Sequence, residues 1–235
     1  MNTMRVILLL WLLLPATERL GSRAAEVRGN PTSDAESIAV GTSAEEAAYA
    51  RAIASRAEKI VANLALVQEE QAQRVRQLIA DQYRGLRAIH DLRDETLTRL
   101  RHDSSRAPGS RDAADREVRQ GAQLKQFELH RQFVARLTAE LTPEQVTQVK
   151  DGMTYGVVPA TYGRYLQLLP ELSEEQRVTI LALLIEAREY AMDGGSSEEK
   201  HHWFRKYKGK INNYLSAAGV NLSEAEARAQ GTSQP

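Results

Sequence analysis

The residues best equipped for chemistry lie close together near the C-terminal end. Lys200, Lys206, Lys208 and Lys210 fall within eleven residues of a chain in which arginine outnumbers lysine twenty-four to seven. Between Lys200 and Tyr214 there is no acidic residue, and Trp203, Phe204, Tyr207 and Tyr214 are interleaved with the cations. Where arginine is the default cation, a lysine cluster marks places suited to a compact, flexible ammonium group. Ammonium groups beside aromatic rings suit an anionic ligand with apolar faces, such as a uronic acid or sulfated sugar. The rings stack, and the cations meet carboxylate or sulfate oxygens. The same pattern also fits an amphipathic helix whose cations favour its C-terminal end and whose rings face a core.

Two further stretches extend this set. Between Lys150 and Tyr165 three glycines and Pro159 interrupt helical character, and Tyr155, Tyr162 and Tyr165 crowd there with Lys150 and Asp151. A tyrosine or lysine base with a cation that neutralises a carboxylate is the equipment of a polysaccharide lyase. Asp151 and Glu186 could instead serve glycoside hydrolysis if they stand about 5–10 Å apart. Glu186, Arg188 and Glu189 follow the apolar run 178–185, before the turn Asp193-Gly194-Gly195-Ser196-Ser197. A central, buried helix ending in carboxylates would pair them with the lysines 206–210 of the next helix, or make a polar pocket with Glu186 or Glu189 as acid or base. Tyr155, Glu186 and Lys208 are therefore the catalytic candidates. Lys150, Asp151, Tyr162, Tyr165, Arg188, Glu189, His201, Lys206, Lys210 and Asn213 are the ligand-binding candidates. We expect Lys208, Lys210, Tyr155 and Glu186 to share one cleft.

Composition narrows the alternatives. The 235 residues carry 31 basic and 31 acidic side chains, a balance that argues against a nucleic-acid partner. The absence of cysteine excludes disulfides, thiolate metal sites and a thiol nucleophile. No sequence fingerprint points to a cofactor or a resident metal. Glu198, His202 and Asp193 make at most a partial metal site, and His90, His102 and His130 read as surface or core-edge residues.

The elements that must position these groups read as helix throughout. Residues 45–64 are alanine-rich, and Val75, Leu78, Ile79, Tyr83, Leu86, Ile89, Leu92, Leu97 and Leu100 recur at three- and four-residue steps. After a break at 101–112, Val118, Leu124, Phe127, Val134, Leu137 and Leu141 continue the period, so the two runs should fold back as an antiparallel pair. Gly156-Val157-Val158 alone hints at a strand. The expected class is all-α, a long antiparallel helical pair packed with a C-terminal set of shorter helices. At the N-terminus, Arg5 and the apolar run Val6–Leu14 suit a signal peptide cleaved near Ala24. Residues 25–43 then form a disordered linker, and 44–230 a single helical domain. Export to the periplasm or beyond the cell follows, with no membrane association after cleavage.

Leu141-Thr142-Pro143-Glu144-Gln145 is echoed by Leu172-Ser173-Glu174-Glu175-Gln176 and loosely by Leu222-Ser223-Glu224-Ala225-Glu226. Each reads as a helix start in which a hydroxyl caps the first turn. The pattern also resembles the LTxxQ motifs of Spy/CpxP-type periplasmic proteins, which implies a chaperone-like binder of unfolded chains.

A broader resemblance rests on Val149–Val157, on Tyr162, Tyr165, Leu169 and Pro170, on the stretch Glu186–Ser197, and on Glu199 to Leu215 with Phe204, Tyr207 and Asn212. Together these resemble domain of unknown function family 3826, exported bacterial helical proteins found in polysaccharide-utilisation loci. That resemblance implies carbohydrate biology outside the cytoplasm without assigning a catalytic residue. The expected partner is an acidic oligo- or polysaccharide, with a homodimer as a further candidate.

Overall fold

The computed structural model describes residues 31–103, 105 and 107–231. The proposed signal peptide and residues 25–30 of the expected linker lie outside the described residues. Contacts divide the chain into two compact units, 1–47 and 48–235. The described part of the first unit is the beginning of helix α1, which runs Pro31–Ala62. Residues 31–43 are thus helical where a linker was expected. Pro31 stands in the first turn, where its missing N–H breaks no intrahelical bond.

Seven further helices follow: α2 Glu69–His102, α3 Pro108–Glu140, α4 Pro143–Met153, α5 Val157–Leu168, α6 Glu174–Met192, α7 Ser197–Ala217 and α8 Leu222–Gly231. Among the described residues there is no strand, and the protein is all-α. Val157 and Val158 open α5 after a left-handed Gly156, so their β-branching is spent on packing into a core rather than on a sheet. Among the described residues no helix is long and apolar enough to cross a membrane.

The α2–α3 pair is antiparallel, because its cross-contacts run in opposite senses. Arg74 meets Glu140 at 2.9 Å, Gly85 lies against Leu129, and His90 lies 3.1 Å from Gln126. Gly85 permits this closeness: a Cβ there would stand 2.9 Å from a Leu129 methyl. On α2 the stripe Val75, Ile79, Leu86, His90 and Leu97 is buried, at the spacing of one helix face.

Two apolar clusters fill the second unit. Ile60, Val61 and Leu64 of α1 pack with Val75, Ile79, Phe133, Leu137, Val149 and Met153, and Met192 joins them from the end of α6. The other cluster gathers Val157, Tyr165, Ile180, Leu184, Phe204, Tyr207, Ile211, Leu215 and Ala225 from α5 to α8. Each fully buried aliphatic chain of this size contributes about 1.5–3 kcal/mol relative to exposure.

The echoed helix starts are real caps in two of three cases. Thr142 and Ser173 accept from the backbone N–H of Gln145 and Gln176, and each glutamine side chain reaches back to the cap residue's N–H. Leu141 and Leu172 before them are buried. In the third case the cap is Asn221, which accepts from Glu224 N–H, so Ser223 lies within the helix instead. Asparagine is as good a cap as serine, so the helix starts two residues earlier and the Glu224 N–H is the first-turn donor satisfied.

One sequence expectation fails here. Helix α6 is not buried on all sides: Val178, Ile185, Glu186 and Tyr190 are exposed. Its Ile180, Leu184, Ala187 and Ala191 belong to the apolar cluster shared with α5 and α7, whereas Val178, Ala182 and Ile185 are turned outward. Uniform hydrophobicity could not say which face the neighbours would take.

Candidate functional site

Helix α6 carries two adjoining polar constellations on its exposed side, because Glu189 and Tyr190 are consecutive. The first joins α3, α4 and α6. Lys150 of α4 donates to Glu189 at 2.6 Å, Arg188 meets Asp151 at 2.8 Å and Glu189 at 3.4 Å. His130 of α3 bridges Glu189, 3.4 Å away, and Asp193, 3.1 Å away. Three cations therefore balance three carboxylates in a half-buried patch.

The charges respond accordingly. Hydrogen bonds to Asp193 first and Glu189 second raise the His130 pKa to about 9 against the cost of burial. Burial pushes the Glu189 carboxyl up, but bonds from His130 and Lys150 and the nearby Lys150 and Arg188 charges outweigh it, leaving about 2. Glu189 thus stays ionised near neutral pH, because a carboxylate with three cationic partners has little affinity for a proton. The expected partners are corrected. Glu189 pairs across α3 and α4, not with the lysines 206–210 of α7, since it projects from the side of α6 turned away from α7.

The same tie holds the α6–α7 turn. His90 bonds the Asp193 carbonyl at 2.8 Å, and Glu199 accepts from Gly195 N–H at 2.7 Å while meeting Arg93 at 3.3 Å. A Cβ on Gly195 would stand 2.7 Å from the His90 ring, so glycine is required for this approach. His90 and His130 were not identified as site residues from sequence. The available signal was register: His90 lies four residues after Leu86 and seven before Leu97, on the buried stripe.

The second constellation lies on α7. Trp203 stacks on Tyr190 at 4.6 Å between centroids and 17° between planes, and Tyr190 also stacks on Tyr207 at 6.2 Å. Tyr190 remains 44% exposed. Lys206 lies 4.7 Å from the Trp203 ring centre, and Lys210 lies 4.1 Å from that of Tyr207. Glu186 lies against Tyr207; burial first and this carboxylate second raise the phenol's pKa. His202 meets Trp203 edge-on at 6.2 Å, and Asn213 is exposed.

The five lysines of this half have divergent fates. Lys150 is paired with Glu189, and Lys200, only 5% exposed, donates to the Met153 carbonyl at 3.0 Å. That contact places a cation on the C-terminal end of α4, where the helix dipole is negative. Burial, then the Arg56 charge, lower the Lys200 pKa to about 8. Lys208 is half-buried; burial lowers its pKa, and the Glu226 charge on α8 opposes that. Lys206 and Lys210 are exposed and have no carboxylate within ion-pair distance among the described residues.

The single cleft expected from sequence does not form. Lys208 and Lys210 are two residues apart and so point about 160° apart around α7. Lys208 shares its side of the helix with His201, on which Tyr155 stacks at 5.8 Å, whereas Glu186, Tyr207 and Lys210 belong to the α6 side. Tyr155, Glu186 and Lys208 are therefore not one catalytic set. Tyr165 donates to Asn212 at 2.7 Å, and with Tyr162 it serves the second apolar cluster. Asp151 is engaged by Arg188 at 2.8 Å. Nor do Glu198, His202 and Asp193 assemble: they turn to Arg205, Trp203 and His130 respectively.

The sequence model of a family described as "Protein of unknown function (DUF3826)" matches residues 50–231. No curated protein matches the chain.

Proposed function

Since this chain belongs to DUF3826, a family that hands down no activity, we propose its role from the α6–α7 geometry: it is an exported protein that binds an acidic carbohydrate on the Tyr190–Trp203 face. The apolar run Val6–Leu14 supports export to the periplasm or the medium. One observation carries the binding role. Among the described residues, Lys206 and Lys210 rest on aromatic rings and not on carboxylates, which leaves their N–H donors for a ligand.

An exposed cation–π contact is worth only about 0.5–1 kcal/mol, so an anionic ligand can recruit these ammonium groups at small cost. The stacked pair is already ordered, which limits the entropy lost when a sugar face settles on it. A charge-assisted contact to a uronate would then contribute about 1.5–3 kcal/mol. Glu186 at the α6 edge repels a carboxylate placed there and directs it toward α7.

Titration calorimetry with mixed oligogalacturonates and with neutral cello-oligosaccharides tests this reading. Saturable binding of the acidic set, lost in Trp203→Ala and weakened about tenfold to a hundredfold in Lys206→Ala, is the expected result. Equal binding of neutral and acidic sugars, or binding unaffected by both substitutions, would refute it.

A further inference from the structure

The α7 face is not one ring and one cation but a unit that occurs twice. Trp203 is followed three residues later by Lys206, and Tyr207 three residues later by Lys210. In each case the ammonium folds back over the ring, at 4.7 and 4.1 Å from its centre. The second unit is the first displaced by four residues, about 6 Å along the axis and about 40° around it. Asn213, seven residues after Lys206, continues the same exposed line with an amide, so the line Lys206, Lys210, Asn213 runs about 10 Å along α7.

A host that repeats along one direction is matched by a guest that repeats along that direction. From this we infer that the ligand is an extended acidic chain, with two consecutive charged sugar residues engaged at once, one by each ring–lysine unit. This rests on the reading of the face as a site for acidic carbohydrate and adds to it that a monosaccharide is an incomplete ligand. Tyr207 is buried beneath Lys210 and Tyr190, so the second unit offers its ammonium but not its ring face. The first unit, with Tyr190 exposed beside Trp203, is where a sugar ring can stack. One residue is therefore held by stacking and charge, and the next chiefly by charge. Engaging the second residue after the first is bound is an intramolecular event, favoured by its high effective concentration.

The test is calorimetry on the full folded chain with galacturonic acid, digalacturonate and tetragalacturonate, and with a tetrathymidylate as a polyanion of another kind. Digalacturonate should bind at least tenfold more tightly than the monomer, and tetragalacturonate little more than digalacturonate. Lys210→Ala should weaken digalacturonate at least tenfold and so remove its advantage over the monomer. Lys210→Gln, which keeps the stem, should do the same, and circular dichroism of both variants checks that the helices persist. Equal affinity for monomer and dimer would overturn the two-residue register and leave the acidic-carbohydrate reading standing. Failure of every galacturonate to bind would overturn both, and tetrathymidylate binding as tightly as tetragalacturonate would show a generic polyanion surface and overturn the carbohydrate register.

Discussion

Replacing His130 by glutamine should destabilise the protein in a pH-dependent way. The imidazole is held at about 9 by Asp193 and Glu189, against 6.5 for the free side chain. A shift of that size corresponds by linkage to about 3 kcal/mol at most. Glu189 is 31% exposed and Asp193 19%, so water screens part of the interaction and about 1–2 kcal/mol is the working magnitude. The folded-state pKa is raised, so the stabilisation is fully present below 6.5, declines as the pH rises from there, and is gone above about 9. Glutamine retains hydrogen-bonding capacity but carries no charge. Urea unfolding of the parent and His130→Gln at pH 6, 7.5 and 9.5 should therefore show a stability difference of about 1–2 kcal/mol that shrinks toward zero at the highest pH. A difference that stays constant across that range would show that His130 acts by shape alone and would refute the ion-network reasoning.

Other outcomes follow from the same geometry. Gly195→Ala would drive a methyl to 2.7 Å from the His90 ring and should cost about 1–3 kcal/mol in chemical denaturation, with loss of amide protection in the 193–199 turn. Glu189 has its pKa depressed to about 2, so its contribution is present above about 4.5 and lost as the pH falls toward 2; Glu189→Gln should flatten the acid limb of the Tm–pH profile. Ser173→Ala should lower stability by about 0.5–2 kcal/mol through the uncapped α6, whereas Ser223→Ala should change it by less than about 0.5 kcal/mol because Asn221 holds that cap.

Much of this protein could be read without coordinates, because helical periodicity is local. The stripes on α2, the Thr142 and Ser173 caps and the break near residue 108 are each set by neighbours within one or two turns, so sequence spacing suffices. The grouping of Lys206 and Lys210 with aromatic residues was also legible, since residue type and spacing carry that information. The direction each side chain takes was not. Lys208 and Lys210 look equivalent in a string of letters, yet two residues of helix turn one toward Glu226 and the other over Tyr207. Helix α6 looks central because it is apolar all round, and only the placement of α5 and α7 on one side leaves Val178, Ile185 and Tyr190 open. His130, Lys150 and Glu189 are separated by 20 and 39 residues, so no local pattern could pair them. Their association depends on how α3, α4 and α6 pack, and packing is settled by the whole core at once, not by any one segment of it.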